Sequence, residues 1–344
     1  MANPSGSVGG TNLTYAEMAK RIDGTGMVRD AANLLAESNE IIGDLFMQPS
    51  SEVMSHQSSI VVGQPTVSLR SFNQGVASTR SQTALITDTM SMLETRSIVD
   101  SELLATYGDA NGIRSREAIP HIEAMSQAAA ELIFYGSTGD DPKEFNGLTM
   151  RYDTASSDNF LDAGGTASNA LSSVWLLGHK PNVVHGIYPK NMQAGLKHTD
   201  MGQQVIQTGT GVDGGTMDAF LDVFRFKLGL VIKDWRYVAR IGNVDVSGDL
   251  TPITDKQALT GAYDTQLLYL MAKALHRIPR TSGVRPCFYM PRSIFEGLHV
   301  LALAQKNANV FTIEQVANSG PMVRYMGIPL KICDQLLYTE PQVV

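Results

Sequence analysis

The alternation of hydrophobic and polar residues changes along the 344-residue chain and separates four stretches. Residues 1–55 are rich in Gly, Ser, Asn and Thr and contain one short amphipathic piece at residues 31–46. A stretch with so few apolar side chains cannot bury enough surface to fold alone. We therefore predict an N-terminal arm that lies on another surface.

Residues 56–106 alternate as strands do, on either side of a polar tip. One limb runs over residues 60–70 and the other over residues 83–92. Asn73 and Gly75, at the tip, tolerate the left-handed backbone that a chain reversal requires. The pattern predicts a long projecting hairpin. Because isolated two-stranded ribbons are marginally stable in water, we expect this one to rest on a partner subunit.

The clearest helix pattern covers residues 115–135, where apolar residues recur at helical spacing. Ser115 is a suitable N-cap, and Pro120 falls near the first turn, where its missing N–H costs least. Gly136 follows the last apolar position and predicts the end of the helix.

The most regular strand pattern runs over residues 223–233, and a second strand is expected over residues 237–246. Phe224 and the apolar residues at alternate positions after it take one face, while Arg225 takes the other. We assign residues 107–255 to one body, which contains the helix and the long strands at about 223–246.

The last stretch, residues 256–344, mixes both patterns. Helices are expected at residues 262–277 and 293–305, a short buried strand at 286–290, and an edge strand at 328–332. Helices and strands intermixed in this way indicate an α+β fold.

Charge and cysteine usage narrow the function classes. The formal net charge is −7, and no run of five or more basic residues occurs. Tight, sequence-reading DNA binding is disfavoured, because that affinity comes largely from clustered Lys and Arg. Cys287 and Cys333 have no His or Cys at metal-binding spacing, which predicts two buried thiols in a reducing cytoplasm. The chain shows neither a secretory signal nor a stretch of about 18 apolar residues, so we expect no membrane association.

The strongest candidate for chemistry is the Gly-rich segment at residues 208–216. It lacks the Lys-Ser/Thr pair of a phosphate loop, and a strand pattern follows it where that motif requires a helix. The seven histidines are scattered without metal-binding spacing. We predict no catalytic residues, no metal site and no cofactor.

A series of short motifs resembles one known family. The motifs are PTVSLR (65–70), NQGV (73–76), EAMSQ (123–127), FYG (134–136), FNGL (145–148), RY (151–152), SVW (173–175), GIYPK (186–190) and GLVIKDWRYVARIGN (229–243). In this order and spacing they resemble the major capsid proteins of tailed bacteriophages, of the epsilon15-like kind, over roughly residues 60–245.

The resemblance implies an α+β, Hong Kong 97-like capsid fold. Residues 1–55 would be its N-terminal arm and residues 56–106 its E-loop hairpin. Residues 107–255 would form the peripheral domain on a long spine helix, and residues 256–344 the core of the axial domain. The implied protein is a structural subunit and not an enzyme.

The implied function is self-assembly into the icosahedral shell that encloses the double-stranded DNA of a tailed phage. The chain would form hexamers and pentamers, be assembled in the bacterial host cytoplasm, and remain in the virion. Portal, scaffolding and decoration proteins are the other expected partners, and packaged DNA would be contacted non-specifically. The candidate inter-subunit contact residues are Arg70, Asn73, Gly75, Asp218 and Arg225.

Two alternatives remain open from the sequence. An encapsulin-like nanocompartment shell protein would share the fold but enclose protein cargo. A soluble nucleotide-using enzyme would instead depend on the Gly-rich segment.

Overall fold

The computed structural model describes residues 39–166, 170–208, 215–246, 264–279, 283–304, 311–316 and 320–344. Most of the predicted arm, residues 209–214 of the Gly-rich segment, and residues 247–263 lie outside the described residues. The fold is 25% helical and 41% strand, which confirms the α+β prediction. Two compact units make up the chain. Among the described residues, those within 92–128 and 195–226 form the first, and those within 39–91, 129–194 and 227–344 form the second.

The elements are numbered along the chain. The helices are α1 (Ile41–Asp44), α2 (Ser101–Tyr107), α3 (Ala110–Tyr135), α4 (Leu148–Arg151), α5 (Asp264–Arg277) and α6 (Arg292–Ala304). The strands are β1 (Met47–Pro49), β2 (Ser55–Gly63), β3 (Gln82–Thr89), β4 (Ser91–Asp100), β5 (Phe160–Asp162), β6 (Leu171–His179), β7 (Val184–Tyr188), β8 (Lys197–Thr208), β9 (Gly215–Ile232), β10 (Val238–Asp245), β11 (Arg285–Met290), β12 (Phe311–Val316), β13 (Gly320–Tyr325) and β14 (Ile328–Ile332). None of the described helices combines the length and hydrophobicity that a membrane span needs.

The first unit contains β4, α2, the start of α3, β8 and the first part of β9. Strands β8 and β9 pair antiparallel up to Thr208 and Gly215, on either side of the Gly-rich segment. A strand therefore follows that segment, as expected. The pattern did not predict β8, because its residues are mostly polar and no apolar face alternates along it.

The long helix α3 begins earlier than the sequence predicted. Asp109 accepts a hydrogen bond from the backbone N–H of Gly112 at 3.0 Å, so Asp109 is the cap and not Ser115. Pro120 consequently lies inside the helix, at an exposed position. The predicted end is confirmed, since the helix stops at Tyr135 and Gly136 N–H bonds to the carbonyl of Leu132.

A seven-stranded sheet forms the core of the second unit, in the order β12-β13-β14-β11-β6-β10-β5. Strand β6 is buried along its whole length. The prediction of an edge strand at residues 328–332 is wrong, because β14 lies between β13 and β11. Pro329 has no N–H to donate to a neighbouring strand. It is tolerated at this position because it is paired with β13 alone, and the pairing of β14 with β11 begins only at Leu330.

The predicted strands at residues 223–246 are two separate elements. The C-terminal part of β9 pairs with β7, while β10 pairs with β6 and β5 in the seven-stranded sheet. This sheet takes strands from both sides of residue 256. The division into arm, hairpin, peripheral domain and axial domain remains a prediction.

The predicted hairpin is present. Strands β2 and β3 pair antiparallel from Ser55 and Thr89 to Gly63 and Gln82, and among the described residues they pair only with each other. Both predicted limbs are too long. The arriving limb ends at Gly63 and not at Arg70, and the returning limb ends at Thr89, after which the chain continues as β4 in another sheet.

Candidate assembly surfaces

The tip of the hairpin, residues 64–81, is exposed at every position. Val67, Leu69 and Phe72 are 91%, 101% and 98% exposed. Between Glu52 and Asp88 the chain carries no acidic residue. The hairpin tip is therefore an apolar and positively charged surface without packing partners in its own subunit, and such exposed apolar side chains mark interaction sites.

Three predicted contact residues lie in the hairpin tip. Arg70, Asn73 and Gly75 are all exposed. Asn73 has a φ of 63°, which is the left-handed conformation expected at the reversal. A hydrogen bond from the Gln74 N–H to the carbonyl of Ser71 closes the turn.

The other two predicted contact residues, Asp218 and Arg225, lie on β9 in the first unit. Asp218 is exposed. Arg225 donates from Nε to Glu94 Oε2 at 2.7 Å within the same subunit. This hydrogen bond, with a further contribution from Arg96, lowers the pKa of Glu94. Pairing of Asp218 and Arg225 between subunits stays a prediction.

A charged cluster lines a groove of about 380 Å³ in the first unit. Arg114 on α3 donates two hydrogen bonds to Asp222, at 2.9 and 2.7 Å, and approaches Asp200 at 2.7 Å. His198 Nε2 lies 2.8 Å from Asp222 Oδ1. Asp200 lies in β8. Because hydrogen bonds to Asp222 and Asp200 favour the charged form, the pKa of Arg114 is raised.

The root of the hairpin, residues 52–58 and 86–90, joins the second unit. Asp88 on β3 is 5% exposed and accepts a hydrogen bond from Arg151 Nη2 at 2.7 Å. His56, opposite Asp88 on β2, makes an edge contact with the ring of His185, with ring centroids 5.9 Å apart. Sequence reasoning missed this arrangement.

A buried ion pair lies in the core of the second unit. Arg240 Nη2 bonds to Glu340 Oε2 at 2.9 Å, and the two side chains are 1% and 3% exposed. Ser173 and Tyr135 donate hydroxyl hydrogen bonds to the same carboxylate. The guanidinium lies 5.2 Å from the ring centroid of Trp175. Burial, with the nearby Glu340 charge, raises the pKa of Tyr135, so this phenol remains a neutral donor.

One group of potential metal ligands occurs among the described residues. Atoms of Asp44, His179 and Cys287 lie within 4.8 Å of one another. Both carboxylate oxygens of Asp44 are already engaged, with Lys331 Nζ at 2.7 Å and the Tyr289 hydroxyl at 2.6 Å. The group is thus a hydrogen-bonded network that holds α1 on the seven-stranded sheet, and a divalent ion would have to displace the ammonium group.

The family described as "Major capsid protein GP7" matches residues 23–344. The chain belongs to this family. It is therefore a major capsid protein, which associates with copies of itself to form the shell of a virion. No curated protein sequence matches the chain.

The capsid protein is also similar to solved structures. The structure of bacteriophage Epsilon15 has 26% sequence identity and a TM-score of 0.73, with 98% of both chains covered. This similarity confirms the Hong Kong 97-like fold implied by the sequence motifs. The bacteriophage JBD30 capsid has 10% identity and a TM-score of 0.44, with 88% of this chain and 92% of that chain covered.

An encapsulin is among the more distant similarities. The holo-SrpI encapsulin complex from Synechococcus elongatus PCC 7942 has 12% identity and a TM-score of 0.42, with 69% of this chain and 97% of that chain covered. The family match and the similarity to the Epsilon15 structure favour a phage capsid protein over a nanocompartment shell protein.

The buried histidines make the stability of the capsid protein depend on pH. Burial, assisted by His56 and Lys233, lowers the pKa of His185 to about 4. The unfolded chain has a histidine pKa of about 6.5, so between these values it binds more protons than the native state. The His185 contribution is fully present above about pH 6.5 and is lost as the pH falls towards 4, at a cost on the order of 2 to 3 kcal/mol.

We expect His185→Phe to flatten this pH dependence, as measured by urea unfolding between pH 7.5 and pH 4.5. Neither ring nitrogen of His185 has a hydrogen-bond partner among the described residues, so the substitution removes the titration without breaking a bond. His276→Phe, at an exposed histidine, is the matched control and should keep the wild-type slope. An unchanged slope in His185→Phe would contradict the assignment.

Proposed function

We propose that this capsid protein builds a closed icosahedral shell of hexamers and pentamers around the double-stranded DNA of a tailed phage, with the hairpin as a principal contact between subunits. The observation that carries the proposal is the hairpin tip. The side chains of Val67, Leu69 and Phe72 are more than 90% exposed in the single subunit. Their burial against a second copy removes this apolar surface from water, which stabilises the contact by roughly 25 cal/mol per Å².

Within the hairpin tip, Arg70, Asn73 and Gly75 are the proposed contact residues. Arg70 supplies a positive charge that can pair with an acidic group of the next subunit. Asn73, in the left-handed conformation, gives the turn its shape, and Gly75 follows the turn. Asp218 and Arg225 are proposed as secondary contacts. Exposed ion pairs are usually worth less than about 1 kcal/mol, so these two matter less than the tip.

Closed symmetry explains how modest contacts suffice. Each subunit in a ring makes the same contact twice, because its hairpin contacts one neighbour while it receives the hairpin of the other neighbour. Ring closure makes the last contact intramolecular. Many weak contacts thereby give a stable shell.

The net charge of −7 supports a container role. A mildly acidic wall does not bind the duplex tightly, so DNA remains mobile while it is packaged. The proposed role is structural, without a catalytic step, and assembly takes place in the bacterial host cytoplasm. Portal, scaffolding and decoration proteins are the further proposed partners.

The test is electron microscopy of particles formed by the full chain, combined with measurement of their nucleic-acid content after phage infection. Closed icosahedral particles that contain double-stranded DNA support the proposal. Particles filled with protein would instead support a nanocompartment. A monomer that nucleotides stabilise against heat would support an enzyme, and either result overturns the proposal.

A further inference from the structure

The direction in which the hairpin leaves the subunit depends on its root. Among the described residues β2 and β3 pair with no other strand, so no sheet holds the ribbon in place. The hairpin root closes on itself through a hydrogen bond from the Met90 N–H to the carbonyl of Met54 at 3.2 Å. The side chains at the root must therefore fix the angle between the ribbon and the rest of the second unit.

Asp88 is the charged side chain that the hairpin buries. Its Oδ1 accepts from Arg151, while the buried Oδ2 has no hydrogen-bond partner among the described residues. A buried carboxylate that lacks a partner is costly, because its charge is removed from water without compensation. The position of β3 is thus tied strongly to the position of Arg151.

Arg151 joins three separate segments. It stands at the end of α4 and donates from Nε to the carbonyl of Asn146 at 3.1 Å. Nη2 donates to Asp88 at 2.7 Å and to the carbonyl of Leu230, on β9, at 3.2 Å. The planar, multiply donating guanidinium can make these bonds together, whereas a lysine offers one point of charge.

The other ionisable groups near the hairpin root do not replace this contact. His56 faces Asp88 across the ribbon, but its Nδ1 accepts a hydrogen bond from the Ser51 N–H at 3.2 Å. His185 packs against His56, and the positive charge of Lys233 helps to lower the pKa of His185. Arg151 is the cation that hydrogen-bonds directly to the Asp88 carboxylate.

We propose that Arg151 is a positioning residue for shell assembly, because it clamps Asp88 and so fixes the direction in which the hairpin points. The proposal rests on the proposed role of the hairpin as an inter-subunit contact. Without the Arg151 side chain the ribbon would swing about its root. The hairpin tip would then sample directions that do not reach a neighbouring copy. Assembly would then be slowed by the small fraction of subunits with a competent hairpin.

The test measures hairpin direction separately from assembly. Spin labels are attached through Ser78→Cys in the hairpin tip and Lys143→Cys, an exposed position of the same unit. Both native cysteines are buried, so labelling is directed to the introduced sites. Electron-electron distances are recorded for subunits diluted with unlabelled protein, in otherwise wild-type, Arg151→Gln and Arg151→Lys backgrounds. Arg236→Gln, which disrupts an exposed pair with Asp234, is the matched control.

A broadened distance distribution in Arg151→Gln, with a closed-shell yield at least about tenfold lower, supports the proposal. Arg236→Gln should match the wild type in both measurements. Arg151→Lys keeps the charge but not the fork, and should broaden the distribution to an intermediate extent. If Arg151→Gln does not fold, the Arg151→Lys distribution decides. An unchanged distribution in Arg151→Lys in that case, or in Arg151→Gln when it folds, overturns the clamp.

The outcome is separable from that of the proposed hairpin contact. Broadening without any loss of shells would show that the clamp holds the ribbon but that assembly does not need its direction, which overturns the positioning role. Assembly by subunits that lack the hairpin tip would overturn the hairpin contact itself, whatever the spin labels report.

Discussion

Deletion of residues 72–80 is expected to give a folded, soluble subunit that forms no closed shells. The deleted residues are exposed and lie beyond the paired ends of β2 and β3, at Gly63 and Gln82. The fold of the subunit therefore loses little, whereas the contact between copies loses Phe72, which is 98% exposed in the single subunit. Light scattering and negative-stain electron microscopy measure the assembly, and circular dichroism checks the fold.

A double substitution tests the apolar surface of the hairpin tip without changing the length of the tip. Leu69→Ser combined with Phe72→Ser keeps the full loop, and we expect strongly reduced assembly because aromatic and aliphatic anchors dominate interface energies. Tyr269→Ser, at an aromatic residue of α5 that is 65% exposed, is the matched control and should assemble normally. If the deletion variant formed normal shells, the hairpin tip would not be needed for assembly.

Replacement of Glu340 by Ala is expected to lower the free energy of unfolding by about 3–5 kcal/mol, because it leaves the buried Arg240 charge unpaired. The same substitution deprives the hydroxyls of Tyr135 and Ser173 of their acceptor. Urea unfolding at pH 7.5 measures the change. The conservative Glu340→Gln keeps an acceptor and the side-chain shape, so it should cost less than Glu340→Ala.

The control for the buried pair is an exposed one. Arg236 bonds to Asp234 at 2.8 Å, but more than half of the Arg236 side chain is exposed. Arg236→Ala should therefore change the free energy of unfolding by less than about 1 kcal/mol. Similar losses for Glu340→Ala and Arg236→Ala would show that burial does not govern the strength of the Glu340 contact.

The elements that could be predicted were those with a strong local pattern. The hairpin followed from two alternating limbs and a reversal at Asn73, and the end of α3 followed from Gly136 after an apolar periodic run. The start of α3 was misplaced because Asp109, Ser115 and Pro120 each offer a plausible start, and only the capping geometry selects Asp109. Strand β8 was missed because a polar strand has no hydrophobic alternation to reveal it.

The charged sites could not be predicted from spacing. Arg151 and Asp88 are 63 residues apart, Arg240 and Glu340 are 100 apart, and Arg114 and Asp222 are 108 apart. Weak signals did exist. Arg151 stands just after the FNGL motif, and Asp88 is the first acidic residue after Glu52. Neither signal identifies the residue with which Arg151 or Asp88 forms its ion pair.

The sequence by itself determined the mixed α+β composition, the projecting hairpin, the long helix and, through the order of its motifs, the capsid family. These depend on local propensity, on periodicity and on turn residues, which act over a few positions. The tertiary structure alone decided that β14 is an interior strand, and which carboxylate each buried guanidinium meets. Those outcomes depend on strand order and burial, because a charge removed from water is stable only where the fold brings its partner within hydrogen-bonding distance.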